Sequence, residues 1–182
     1  MIDDAARWDS RYSGRVTGDP SAPVGLDGFP LPEHGLCIDV ACGLGEQSLW
    51  AALNGFDVIA LDVSPIAIAA LQAAAQDRQL TNRIDARVVD LDDGLSADLD
   101  GQCALVICQR FRDPRLYPSL AAAATPGGLV VVTVLSVAGA TAPGAFHAPS
   151  GELSEVFESL PVEILHFSEA NGESTLVARR VR

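Results

Sequence analysis

The sequence predicts an α/β fold built on a seven-stranded, doubly wound sheet that is mostly parallel and ends in an antiparallel hairpin. Three observations carry that expectation. Short continuous apolar runs such as "GLCIDVA", "CALVICQ" and "LVVVTVLS" alternate with segments of helical composition, and continuous rather than alternating apolar strands mark burial on both sheet faces. Parallel neighbours need crossover connections, which the helical segments supply. The last two strand-like runs, "VEILHFSEA" and "STLVARRVR", are separated only by the turn-like "NGE", and two strands joined that closely pair antiparallel.

Residues 1–34 read as an arm and linker: a helix-like start, "DDAARWDSRYSGR", then a stretch holding Pro20, Pro23, Pro30 and Pro32 with several glycines. Residues 35–182 read as a single domain. In it "GLCIDVA" is the first strand, "EQSLWAALNG" a helix and "FDVIALDVS" the second strand. Ser64 followed by Pro65 is an N-cap with proline in the first turn, launching "SPIAIAALQAAAQDRQL". A third strand follows near "IDARVVDL", and "CALVICQ" is the fourth. "DPRLYPSLAAAA" is expected to be helical from Asp113 and Pro114, with "TPGG" as a stop before the fifth strand, "LVVVTVLS". The helix "SGELSEVFESL" and the hairpin complete the chain.

Composition excludes several chemistries. All twelve basic residues among the 182 are arginine, so a Schiff-base lysine, a phosphate-loop lysine and a tyrosine-lysine dehydrogenase pair are ruled out. A formal charge of −12 repels polyanions, so no nucleic-acid partner is expected. The acidic start and the lack of an apolar run near 18 residues predict a cytoplasmic protein with no membrane partner. Cys37, Cys42, Cys103 and Cys108 form no C-x-x-C; each pair is spaced by five residues, about 16 Å along a strand, so buried reduced thiols are expected and no metal site.

The stretch "IDVACGLGEQSLW" holds the most informative chemistry. It places Gly43 and Gly45 in the turn after the first strand, where ligands bind in doubly wound folds. Glycine lets the backbone bend sharply and approach a ligand, and the next helix offers unpaired N–H groups. Asp62, ending the second strand seventeen residues after Gly45, is positioned to accept both hydroxyls of a ribose.

Together "WDSRY", "IDVACGLG", "ALDVS", "VVDLDDG", "TPGGLVVVT" and the closing "GEL" helix with its hairpin resemble the class I S-adenosylmethionine-dependent methyltransferases, and among them the small single-domain tellurite-resistance type. The resemblance implies a Rossmann-like fold, S-adenosyl-L-methionine as cofactor, and in-line methyl transfer to a small-molecule acceptor: a thiol, chalcogen oxyanion, amine or hydroxyl. It further implies that Asp39 organises the loop facing the cofactor's amino-acid end and that Asp62, with Val63 beside it, takes the ribose. Asp90 would meet the adenine amino group with Leu91 beside the ring, Cys108 and Gln109 would pass the methionine moiety, and Arg11 would reach the carboxylate. The chain departs from the family pattern at Ala41, where a glycine is usual; a methyl group is small enough for binding to survive.

Candidates for the acceptor side are His147, in the loop after the fifth strand, and Tyr12, which with Trp8, Phe111 and Phe146 could form an aromatic wall. Arg110 and Arg112 are either anion contacts or surface pairs. His34 and His166 are assigned no role. Two other readings compete: a binding module that keeps the cofactor but methylates nothing, and a nicotinamide-dinucleotide enzyme, against which Asp39 within the strand and the terminal hairpin both speak.

Overall fold

The computed structural model describes residues 2–181, with side chains from Asp4 onward. Seven strands run in the order β3-β2-β1-β4-β5-β7-β6, the mixed, mostly parallel sheet expected from the sequence. The chain comprises two compact units, Met1–Ala22 with Glu33–Gly94 and Pro23–Pro32 with Leu95–Arg182.

The first unit begins with helix α1, Ile2–Tyr12, and continues through β1 (Gly35–Val40), α2 (Glu46–Leu53), β2 (Phe56–Asp62), α3 (Pro65–Asp77) and β3 (Ile84–Val88). Its strands are parallel, with Val40 opposite Leu61 and Asp62 opposite Val88, so the turns that follow β1 and β2 open at the same edge. Cys37, Ile38 and Val40 of β1 and Phe56, Val58, Ala60 and Leu61 of β2 are buried. Leu49, Ala51 and Ala52 of α2 and Ala67, Ile68 and Leu71 of α3 are buried as well. Small alanines let the helices lie close to the strands, and Ser64 caps α3 by accepting from the Ala67 N–H at 3.2 Å.

The second unit holds β4 (Cys103–Gln109), α4 (Tyr117–Ala123), β5 (Ala124–Leu135), α5 (Glu152–Glu158), β6 (Val162–Ala170) and β7 (Glu173–Arg180). β4 and β5 are parallel; β7 runs antiparallel to both β5 and β6. Asn171 and Gly172, with φ of 55° and 84°, make the two-residue hairpin turn whose left-handed residues match strand twist. The Glu169 carboxylate receives Ser136 Oγ at 2.8 Å, Ser150 Oγ at 2.5 Å and the Gly151 N–H at 3.1 Å, closing the loop between β5 and α5.

Two elements differ from the sequence expectation. α4 begins at Tyr117 rather than Asp113, because the Asp113 carboxylate accepts from the Arg115 N–H at 3.0 Å and closes a separate turn first. Starting at Tyr117 also keeps Pro118, which has no N–H, in the first helical turn. β5 begins at Ala124, so "TPGG" lies within the strand, and the pairing register slips between Cys103 and Leu105 to accommodate it. Among the described residues no helix is long and apolar enough to cross a membrane.

Gly45 shows how tightly the first unit is packed. Its φ is +86°, and a Cβ there would stand 2.4 Å from Leu71 Cδ1 of α3. Overpacking costs about 1–3 kcal/mol and the left-handed conformation about 1–2 kcal/mol for an L-residue. Gly45→Ala is therefore expected to lower unfolding stability by about 2–5 kcal/mol, read from the denaturant midpoint at unchanged m-value.

Candidate active site

The turns after β1 and β2 are joined through one side chain. Asp62 is only 5% exposed; its Oδ2 accepts the Gly43 N–H at 2.8 Å and its Oδ1 the Ser64 N–H at 2.9 Å. Burial raises its pKa, and the backbone donors of Ser64, Gly43 and Val63 pull it back. A carboxylate has about four lone-pair sites, and these backbone donors occupy most of them. Gly43, at φ +55°, lies against the arm: a Cβ on it would be 2.9 Å from the Tyr12 hydroxyl.

Asp39 sits one strand away and deeper, 2% exposed. Its Oδ2 accepts from Ser48 Oγ of α2 at 2.5 Å, so it fixes the helix that follows the glycine turn. Burial pushes its pKa up to about 7, with the negative charges of Asp62 and Glu46 adding to the rise and the Ser48 hydrogen bond opposing it. The Cys42 thiol, buried between these acids, is raised well above its ordinary value by the same desolvation and then by Asp39 and Asp62. The result is a buried cluster of acidic groups at this edge of the sheet.

The arm closes on this edge. From α1, Asp9 Oδ1 accepts from Ser64 Oγ and from the Ile66 N–H at 3.3 Å. Trp8 and Tyr12 stack at 5.6 Å, and burial, then the nearby Asp62 charge, pushes the Tyr12 phenol up to about 12. Beyond the helix, Thr17 Oγ1 donates to the Leu44 carbonyl at 2.7 Å and the Gly18 N–H to Glu46 Oε1 at 3.2 Å.

Of the residues singled out in the sequence, Asp39, Ala41, Gly43, Gly45, Asp62, Val63 and Tyr12 therefore fall at one edge of the first unit. Arg11 is exposed, its guanidinium 5.5 Å from the Trp8 ring centre. Asp90 is half-buried and accepts from the Asp92 N–H at 3.0 Å, capping a short 3-10 turn that contains the buried Leu91. In the second unit, Cys108 is buried near the end of β4 and Gln109 accepts the Val24 N–H at 3.0 Å. His147 Nδ1 accepts the Gly144 N–H at 3.0 Å, and the ring lines a hollow of about 510 Å³ with Leu135 and Glu173. Arg110 pairs with Glu173 at 2.8 Å and Arg112 with Glu152 at 2.5 Å. Phe111 is half-buried and Phe146 exposed. Sequence reasoning did not find Asp9, Ser48 or Glu46, and it read Ser64 only as a helix cap.

A family model described as tellurite resistance protein TehB matches residues 31–177. Hemagglutinin 1 of Eikenella corrodens is 31% identical over 141 residues, covering 74% of this chain and 46% of that protein, so the chain spans less than half the length of this relative. The crystal structure of TehB from Haemophilus influenzae superposes with a TM-score of 0.65 at 20% identity, over 80% of this chain and 57% of that one. Geranyl diphosphate C-methyltransferase from Streptomyces coelicolor A3(2) superposes with a TM-score of 0.72 at 11% identity, over 98% of each chain. At these identities the structural likeness is one of fold.

Two measurements test the geometry. The unfolded chain releases the Asp39 proton near pH 4, whereas the folded chain holds it to about pH 7. The folded state thus binds more protons in that window, and this contribution to stability is complete below it and lost as pH rises to about 7. Asp39→Asn is expected to remove a pH dependence on the order of 2–4 kcal/mol between about pH 4 and 7, measured by denaturant unfolding at several pH values. Ala41 has a φ of 56°, where an L-residue is strained by about 1–2 kcal/mol; Ala41→Gly is expected to hold or raise stability by up to about 1 kcal/mol, although glycine usually lowers it.

Proposed function

The chain belongs to the family of the tellurite resistance protein TehB, and from that premise we propose that it is a methyltransferase that binds S-adenosylmethionine at the Asp62 edge and methylates a small molecule. The observation that carries this reading is the Asp62 carboxylate, which bridges two crossover turns at the carboxyl end of β2, where an acid can accept from the hydroxyls of a ribose.

The other residues fit the same donor. Gly43 and Gly45 leave the turn without side chains, and the Asp62 and Glu46 charges suit a ligand that carries a sulfonium and an ammonium. Asp39, through Ser48, fixes the start of α2 and hence the turn. Val63, Asp90 and Leu91 follow β2 and β3 and are assigned to the nucleoside, while Arg11 is assigned to the amino-acid portion. When bound, the sulfonium supplies an electrophilic methyl carbon and departs as a neutral thioether, which needs no proton.

The protein's part is then to align the acceptor and exclude water, and positioning of that kind can lower a barrier by about 7–11 kcal/mol. Tyr12, with its raised pKa, stays a neutral hydrogen-bond donor near neutral pH and makes a wall rather than a base. A thiol, chalcogen oxyanion or amine reacts with little help, and the family's tellurite-resistance name favours the chalcogen oxyanions among them.

S-Adenosylhomocysteine is expected to bind the protein calorimetrically and to raise its melting temperature, where NAD does neither. Asp62→Ala is expected to weaken that binding by about 10- to 100-fold, the loss of a charge-assisted hydrogen bond. Methyl transfer from radiolabelled S-adenosylmethionine, followed over selenite, tellurite, thiols and amines, identifies the acceptor. No binding to the wild-type chain overturns the proposal; tight binding with no transfer to any acceptor favours a silent binding module.

A further inference from the structure

Asp9 has no part in the reading above, yet it occupies a particular place. It lies one helical turn before Tyr12, so the two side chains share a face of α1. On that face the Asp9 carboxylate reaches Ser64 Oγ and the Ile66 N–H at the start of α3, while Tyr12 rests against Gly43 of the glycine turn. Ser64 in turn donates its N–H to Asp62 Oδ1, and Gly43 donates its own to Asp62 Oδ2. The two contacts of α1 therefore bracket the same carboxylate, one on each of its backbone partners.

Resting on the donor reading, we propose that Asp9 is a positioning residue: by anchoring α1 to Ser64 and Ile66, it holds Tyr12 against the Gly43 turn as one wall of the donor site. The anchor is favourable because a carboxylate at the start of a thirteen-residue helix meets unpaired N–H groups. It is also separate from the attachment downstream, where Thr17 and Gly18 hold the linker to Leu44 and Glu46. Loss of Asp9 frees the helix without detaching the linker, and Tyr12 sits at the junction. Asp9 acts through Tyr12 and touches no donor atom.

A double-mutant cycle on the whole chain tests this, with S-adenosylhomocysteine as the probe. Asp9→Ala and Tyr12→Ala are each expected to raise its dissociation constant about 10-fold, mostly through faster dissociation, and the double variant is expected to show about 10-fold rather than about 100-fold, because residues acting through one another are not additive. Asp9→Asn, whose amide oxygen still accepts from Ser64, is expected to fall between wild type and Asp9→Ala. Without any ligand, amide exchange over residues 4–12 is expected to speed up in Asp9→Ala while residues 17–21 keep their wild-type rates. A multiplicative double variant, an unchanged affinity in Asp9→Ala, or unchanged exchange in α1 overturns the proposal and leaves the donor reading standing. Failure of the wild-type chain to bind the probe overturns both.

Discussion

The Asp62 carboxylate, by taking one backbone N–H from each of two successive crossover turns, fixes the edge of the sheet on which the rest of the site depends. Hydrogen bonds to a charged acceptor contribute about 1.5–3 kcal/mol each, and without them a buried carboxylate is strongly disfavoured. Gly43 is held so that its turn can stay tight, and Ser64 is held at the point where it caps α3. Asp39, buried deeper in β1, accepts a hydrogen bond from Ser48 that ties the strand to α2.

The second unit uses carboxylates in the same way. Glu169 gathers Ser136, Ser150 and Gly151, and Glu152 receives both the Arg112 guanidinium and the Tyr117 hydroxyl, the latter at 3.1 Å. A chain with 24 acidic residues and no lysine thus spends several of its acids as internal acceptors that close loops. These groups have defined donors on the protein itself, which distinguishes them from the acids left to solvent.

The strands were legible because their signal is local: an apolar run bounded by turn residues states its own burial. The Ser64-Pro65 start of α3 and the Asn171-Gly172 turn were legible for the same reason, each being written within a few residues. The late start of α4 was missed because Pro114 looked like a helix opener, and only the Asp113 carboxylate's reach to Arg115 shows that a turn comes first. Asp62 and the glycines stood out through position and spacing. Asp9 and Ser48 did not, because their partners lie 55 and 9 residues away and nothing around an acid on an amphipathic helix says which distant hydroxyl it will meet.

The Cys42 sulfur, buried and under the charges of Asp39 and Asp62, bears on self-restraint under the proposed methyl transfer. Thiolate, not thiol, is the competent nucleophile, and a sulfur kept in its hydrogen-bearing form by burial and by neighbouring acids is a poor rival for an activated alkyl group. A donor pocket of the kind proposed would therefore keep a soft atom close at hand without squandering its reagent on the polypeptide itself.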